Sequence, residues 1–454
     1  MAGAECTFLG SPVMPPTPSA PPAESTKARP VSEGERVVLL DVLRGFALCG
    51  VFMANVYLWF SGRMFLSRAQ FEAALQEASW LDLAVNHAFG PLIAGRFITL
   101  FSFLFGLGFA VQLGRAEGRG TPIVPLYARR LGVMLVIGLA HLFLLFQGDI
   151  VSTYALLGFT LLLFHRRSDR TLLLWAAVLI FLVPVLWSVV QRLPQLLGSP
   201  GAEEALKAAN ARSGAFRALA LEAFSQGSWL DTVRSGAAYY VGDLFKMLSG
   251  FLPIIVGRFL LGLWAGRRRL FHDAPQHLPF FRRLLGWSLG LGLFASGVGV
   301  LVGQLFSRKL MPPEVLPWLP YVMGPLRHLG ELGMAAAYVS GITLLFQRDA
   351  WQRLLALLAP VGRMALSNYF LQSVMGVLLF YGYGLGLMGK LGSAAQLGVA
   401  LTLFALQMVL SRLWLSRFRF GPAEWVTRSL TYGKAQPMRR APVPESEHAP
   451  VTGG

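Results

Sequence analysis

Residues 38–60 read VLLDVLRGFALCGVFMANVYLWF. A helix crossing the roughly 30 Å hydrocarbon core of a bilayer needs about 20 mostly apolar residues, and this run supplies them. Its polar members are Asp41, Arg44 and Asn55. At 100° per residue these project within about a 60° arc, so one narrow stripe is polar and the rest of the surface is apolar. Charges inside a membrane helix are expensive and turn toward the bundle interior or a wet cavity. The stretch therefore predicts a membrane helix whose polar stripe is either a snorkelling Asp41–Arg44 pair at the cytoplasmic interface with an interhelical Asn55, or one wall of a polar cavity open to the cytoplasm.

The rest of the chain repeats the apolar pattern. Hydrophobic residues make up 54% and charged residues 14%, against about 25% charged in soluble domains. Further candidate spans lie near 89–113, 129–146, 150–165, 171–193, 240–265, 284–306, 320–346, 359–382 and 395–415. The expected fold class is all-α, a polytopic transmembrane bundle of about ten helices. The one sizeable extramembrane element is an outer loop near 194–239, whose part from Glu203 to Phe224 mixes charged and apolar residues as a surface-lying helix does.

The formal net charge is +17. Its carriers sit in short clusters between apolar runs, among them Arg129–Arg130, Arg166–Arg167, Arg267–Arg269 and Arg282–Arg283. The short connections on the other side hold Arg63, Arg68, Arg308, Lys309 and Lys390. This asymmetry is a topology signal and places both termini in the cytoplasm. No basic surface domain exists to bind nucleic acid, so the partner of the positive charge is the lipid bilayer with its anionic headgroups.

Residues 1–36 are rich in Pro, Ser and Ala and lack the pattern of a signal peptide. They read as a disordered cytoplasmic tail, 37–432 as the transmembrane domain, and 433–454 as a second tail. Cys6 and Cys49 are the only cysteines. They provide no disulfide framework and no metal spacing. Gly384, Gly386 and Gly389 fit a dinucleotide-loop spacing, and Gly286, Ser288 and Gly290 a nucleophile-elbow spacing. Neither has the strand-to-helix context that chemistry requires.

The polar residues within spans are the candidate site. Asp41 and Arg44 are an i, i+3 pair. Arg96 sits in the second span beside Gly95, and His87 stands at the beginning of that span. His141 is followed by Asp149 in a short connection, and Tyr154 begins the next span. A carboxylate near an imidazole orients it for proton transfer. The densest polar turn holds Arg363, Ser367, Asn368, Tyr369, Gln372 and Ser373, more large amides than helix packing alone uses. One cavity lined by Asp41, Arg44, Asn55, Arg96, His141, Asp149, Arg363, Asn368 and Gln372 is expected.

These motifs carry a resemblance. Leu40-Asp41-Val42-Leu43-Arg44-Gly45, Leu100-Phe101-Ser102-Phe103-Leu104-Phe105-Gly106, Gly148-Asp149-Ile150, Gly362-Arg363-Met364-Ala365-Leu366-Ser367-Asn368-Tyr369 and Gly421-Pro422-Ala423-Glu424-Trp425 stand in matching order. In them the chain resembles the YeiB-like family of bacterial membrane proteins, known as domain of unknown function 418, over roughly residues 36 to 440. The resemblance implies a bacterial inner membrane location and no defined activity. The Asp-x-x-Arg-Gly opening is also similar to that of transmembrane acyltransferases, which pass an acyl group from cytoplasmic acyl-CoA across the membrane. That similarity implies Arg44 as a phosphate contact and acyl-CoA as co-substrate. Those enzymes use a His in the first outward loop. Here the loop near 61–86 has none, and the base falls to His141 with Asp149, or to His87.

The leading expectation is acyl transfer from acyl-CoA to an envelope sugar or lipid. Two others stay open. One is export or transport of a small polar or anionic compound, which intramembrane arginines suit. The other is a non-catalytic membrane protein that binds a partner through its polar patches.

Overall fold

The computed structural model describes residues 37–440 apart from 119, 121, 309 and 311–317. Among them the only β feature is an isolated antiparallel bridge between Phe418 and Arg439. The chain is an all-α polytopic bundle. The expected tail 1–36 lies outside the described residues. Residues 433–440, expected to begin the second tail, fold back instead: Arg419 N–H donates to Met438 O at 2.9 Å and Trp425 Nε1 to Gln436 O at 2.7 Å.

The deciding stretch forms α1 (Val38–Asn55), which continues through a π turn at Val56–Phe60. Two short helices follow, α2 (Arg68–Gln76) and α3 (Trp80–Leu92), each opened by a serine cap. Gly95, at φ +76°, turns the chain into α4 (Arg96–Gly118). Then come α5 (Ile123–Leu144), α6 (Val151–Phe164), α7 (Asp169–Ala177) and α8 (Val183–Leu196). The outer loop holds α9 (Ala202–Gln226) and α10 (Trp229–Tyr239). Beyond α11 (Phe245–Ser249), α12 (Leu252–Arg267) runs through the interior. The hairpin α13 (Leu278–Ser307) and α14 (Leu319–Leu345) follows. Short α15 (Asp349–Leu355) and α16 (Ala359–Arg363) lead into α17 (Ala365–Phe380), and α18 (Ser393–Arg417) and α19 (Pro422–Tyr432) close the fold.

Each of the roughly ten predicted spans is helical, but fewer qualify as membrane-crossing. Among the described residues six helices are long and apolar enough, or seven if the bent α15–α17 segment is one span. The difference has three sources. Helix α6 has 14 residues and α12 has 16, too short to cross unaided. Helix α14 is long but carries Arg327, His328 and Glu331 in its first half. All three shelter polar or close-packed surface inside the bundle.

Glycine lets these interior helices touch. A Cβ on Gly106 of α4 would collide with the Phe259 carbonyl of α12, and one on Gly262 of α12 with the Phe103 carbonyl of α4. Removing side chains at both crossing points brings the backbones together, the usual means of helix association in lipid. The same device joins α1 to α16, where a Cβ on Gly45 would meet Leu358 O and one on Gly362 would meet Asp41 O. Just beyond, the chain bends by 80° between α16 and α17. Glu424 of α19 holds that bend. Its carboxylate accepts the N–H groups of Leu366 and Ser367 at 2.7 and 3.2 Å and the Ser367 hydroxyl at 2.5 Å. These are first-turn donors that have no partner within their own helix.

An arginine-lined cavity and a histidine–aspartate pair

A cavity of about 370 Å³ opens between the start of α1 and α19. Val37 precedes α1, Tyr432 ends α19, and both line it. Its charged lining is Arg44 from α1, Arg115 from α4, Arg130 from α5, Arg363 from α16 and Arg428 from α19, with Asp41 and Glu424 as carboxylates. Along α5 it reaches from Ile123 to Met134, a depth of about 16 Å at 1.5 Å rise per residue. The mouth is polar. The floor is Tyr154, Ile150, Val151 and Tyr369.

Arg44 is held by Asp41 at 3.0 Å, and Asp41 is itself almost fully buried. Arg130 donates to Gln112 Oε1 at 2.5 Å. His272, on the connection between α12 and α13, completes the mouth. Its partial burial and the Arg269 and Arg115 guanidiniums push its pKa below the usual imidazole value. Burial raises the Glu424 carboxyl above its usual range, while its hydrogen bonds to Ser367 and Leu366 oppose that shift. Among the described residues, five guanidiniums line this end against two carboxylates.

Beyond the floor stands the pair the sequence suggested. His141 Nδ1 donates to Asp149 Oδ1 at 2.7 Å, and both side chains are buried. Asp149 Oδ2 accepts the backbone N–H and the hydroxyl of Ser152 at 2.7 and 2.6 Å. With both carboxylate oxygens engaged, the imidazole is fixed in the tautomer that carries its proton on Nδ1. Nε2 is then an acceptor, and it is buried with no hydrogen-bond partner among the described residues. Buried polar atoms without a protein partner are uncommon, and such an atom takes an ordered water, an ion or a ligand, or serves a catalytic role.

Tyr369 separates the pair from the cavity. Its ring lies 5.3 Å from that of His141, its hydroxyl donates to Gly148 O at 3.3 Å and accepts Ile150 N–H at 3.2 Å. On the far side α9 and α10 cover the connection between α5 and α6. Trp229 Nε1 donates to Leu144 O at 3.0 Å, and Tyr381 donates to Gln147 at 3.1 Å. Under this cover Gln147 and Asp149 are both buried.

The expected single cavity divides into separate places. Asp41, Arg44, Tyr154 and Arg363 line it, and His141 with Asp149 lies one side chain behind its floor. The Tyr154 hydroxyl bonds Ser102 at 2.6 Å. Asn368 and Gln372 do not line it. They face α18, where Asn368 Nδ2 donates to Ser411 at 2.9 Å and Gln372 Nε2 to Gln407 at 2.9 Å. The large amides join two helices, a role the sequence alone did not separate from ligand contact. Arg96 belongs to a different pocket, between α4, α13 and α14. Asn55 is partly buried at the end of α1, away from the cavity. His87 is exposed on α3 with Nδ1 bonded to Leu83 O at 2.7 Å, and it does not approach the cavity. Arg115 and Arg130 are readable only as topology charges, Arg428 only as a member of the closing motif of the family resemblance, and His272 carries no sequence signal.

Fold and cavity together define a polytopic α-helical membrane protein with an arginine-lined cavity at one end and an oriented histidine behind it. The chain belongs to the family described as "Protein of unknown function (DUF418)", whose profile matches residues 265–434. It is 34% identical over 422 residues to "Uncharacterized protein YxaH" of Bacillus subtilis (strain 168), spanning 91% of this chain and 98% of that protein. It is 26% identical over 424 residues to "Uncharacterized 39.9 kDa protein in amylase 3'region" of Bacillus acidopullulyticus, spanning 90% and 97%. It is 27% identical over 406 residues to "Uncharacterized protein YeiB" of Escherichia coli (strain K12), spanning 89% and 98%. The resemblance to the YeiB-like family is thereby borne out. No solved structure matches.

Proposed function

We propose that this is a membrane acyltransferase that takes an acyl group from acyl-CoA at the cytoplasmic face and passes it to a hydroxyl of an envelope sugar or lipid. Both termini are then cytoplasmic and the α9–α10 side faces outward in a bacterial inner membrane. One observation carries the reading. The oriented His141, with an unpartnered Nε2, stands between the floor of an arginine-lined cavity and the cover formed by α9 and α10.

In this reading Arg44, Arg130 and Arg428 hold the phosphates of the thioester, since guanidinium pairs with phosphate through directed hydrogen bonds. The acyl chain runs along the apolar wall toward Tyr369. His141 Nε2 takes the proton from the acceptor hydroxyl as its oxygen attacks the thioester carbonyl carbon. The C–O bond forms, the C–S bond breaks, and the leaving CoA thiolate receives that proton from His141. Asp149 stabilises the imidazolium in between.

The test is thermal unfolding of the detergent-purified protein against a panel of CoA thioesters, with Arg44→Ala alongside. A ligand at about 100 times its Kd adds about 2.7 kcal/mol to stability. A saturable shift with one thioester, lost in Arg44→Ala, is expected. Absence of any shift in a protein that unfolds cooperatively would overturn the reading and turn attention to flux of a small anion.

A further inference from the structure

A second pocket, of about 720 Å³, lies between the start of α4 and the paired ends of α13 and α14. It is distinct from the first cavity. Helix α13 begins just after His272, at the cavity mouth, and this pocket is formed by its last third, from Ala295 to Phe306. Those segments are about 30 Å apart along the helix.

The charges at its base do not balance. Arg258 of α12 is wholly buried and donates to Glu331 Oε2 at 2.5 Å. His328 Nδ1 lies 3.1 Å from the same oxygen, and Arg327 Nε 3.8 Å from Oε1. Arg96 is 6% exposed. It donates to the Ala94 carbonyl and to Ser296 Oγ, the latter at 2.7 Å. Two buried guanidiniums thus meet one buried carboxylate. Arg96 Nε and Arg258 Nε and Nη1 are buried with no hydrogen-bond partner among the described residues. A buried cation short of partners is costly in protein and more so at membrane depth. Arg258 does not line the pocket and is answered by Glu331 and the Phe251 ring. Arg96 and Arg327 line it with Ser296 and the single carboxylate Glu331, so an anion there would supply the charge that one carboxylate shared among three guanidiniums does not.

The walls above that base are of another kind. Gly299 and Gly303 leave open space on α13, since a Cβ on either would meet nothing within 4 Å. Val300, Phe306, Met323 and Leu326 complete an apolar trough. A small inorganic anion would satisfy the base and leave the trough empty. An anion attached to hydrocarbon satisfies both.

We propose that this pocket binds an anionic membrane lipid, with its phosphate at Arg96 and Arg327 and its acyl chains in the trough beside Gly299 and Gly303. The site stands on its own charge imbalance and does not depend on acyl transfer at the other end.

The test uses full-length purified protein and three probes: dioctanoyl phosphatidylglycerol, dioctanoyl phosphatidylcholine and inorganic phosphate, read by thermal unfolding and by native mass spectrometry. Phosphatidylglycerol is expected to stabilise saturably and to bind at least tenfold more tightly than phosphatidylcholine. Arg96→Gln should remove that preference. Because Arg96→Gln also disturbs a buried network, Gly303→Leu is the second variant. It fills the trough, leaves every charge in place and suits a helix better than glycine. It should melt like the wild type without lipid and lose at least tenfold in phosphatidylglycerol affinity, with its response to CoA thioesters unchanged. Equal binding of the two lipids, a phosphate effect matching that of phosphatidylglycerol, or full affinity in a well-folded Gly303→Leu would each overturn the proposal.

Discussion

His141 Nδ1 and Asp149 Oδ1 are 2.7 Å apart, joined across the connection between α5 and α6. The pair is fully dressed on the aspartate side and bare at Nε2. His141→Gln is expected to leave thioester binding within about threefold of wild type and to lower turnover by about 10²–10⁴-fold, the range for losing a general base. Release of CoA thiol, measured beside the thermal shift, checks both parts. A loss of binding without loss of turnover per bound ligand would remove the base from His141.

Glu331→Gln should be among the most damaging single changes. It removes the carboxylate from a wholly buried Arg258 and leaves His328 and Arg96 beside it. Breaking one side of a buried ion pair costs about 3–5 kcal/mol. A fall in the detergent-solubilised melting temperature, far larger than that of Glu72→Gln on exposed α2, is the expected readout.

Two glycines make a matched pair. Gly262→Ala drives a methyl into the Phe103 carbonyl and should destabilise by about 1–3 kcal/mol or more through overpacking. Gly286→Ala, on an exposed face of α13 with nothing within 4 Å, should be neutral or stabilise by about 0.5–1 kcal/mol. Opposite signs in one unfolding assay would confirm that α4 and α12 touch through backbone.

His272 links the cavity mouth to pH. Burial, Arg269 and Arg115 lower its pKa in the folded chain while Asp273 opposes them. The unfolded chain therefore binds more protons below the ordinary imidazole value, so stability rises with pH there. The contribution is present above about pH 6.5 and is lost as pH falls through the depressed folded value. His272→Gln should show a flatter melting temperature between pH 7.5 and pH 5. An unchanged slope would exclude His272 as its source.

The apolar runs made the helices legible, because hydropathy over about 20 residues is a property of the sequence itself. Which helices are interior was not legible. The run near 150–165 is short in the sequence itself, and Arg327, His328 and Glu331 stand out within 320–346, but only the packing shows that α6, α12 and α14 do not qualify as unaided spans. The site was legible to the same degree. Asp41–Arg44 and His141–Asp149 are near in sequence and were paired from spacing. Arg130, Arg428 and His272 arrive from three distant segments, and only the fold brings them to one mouth. Asn368 and Gln372 show the opposite failure, since an amide facing a neighbouring helix and an amide facing a ligand look alike in one dimension.

The cavity takes its walls from Val37, just before α1, and from Tyr432, at the end of α19, and Glu424 ties α19 to the bend between α16 and α17. During synthesis the earlier helices enter the membrane long before that carboxylate exists. A ribosome that stops at Gly421 leaves an inserted bundle whose cavity lacks one wall and whose bend lacks its clamp. On the proposed reading the cavity is complete only once α19 has been made, and a stop at Gly421 removes Glu424, Thr427, Arg428, Thr431 and Tyr432 from its lining while leaving the candidate spans in place.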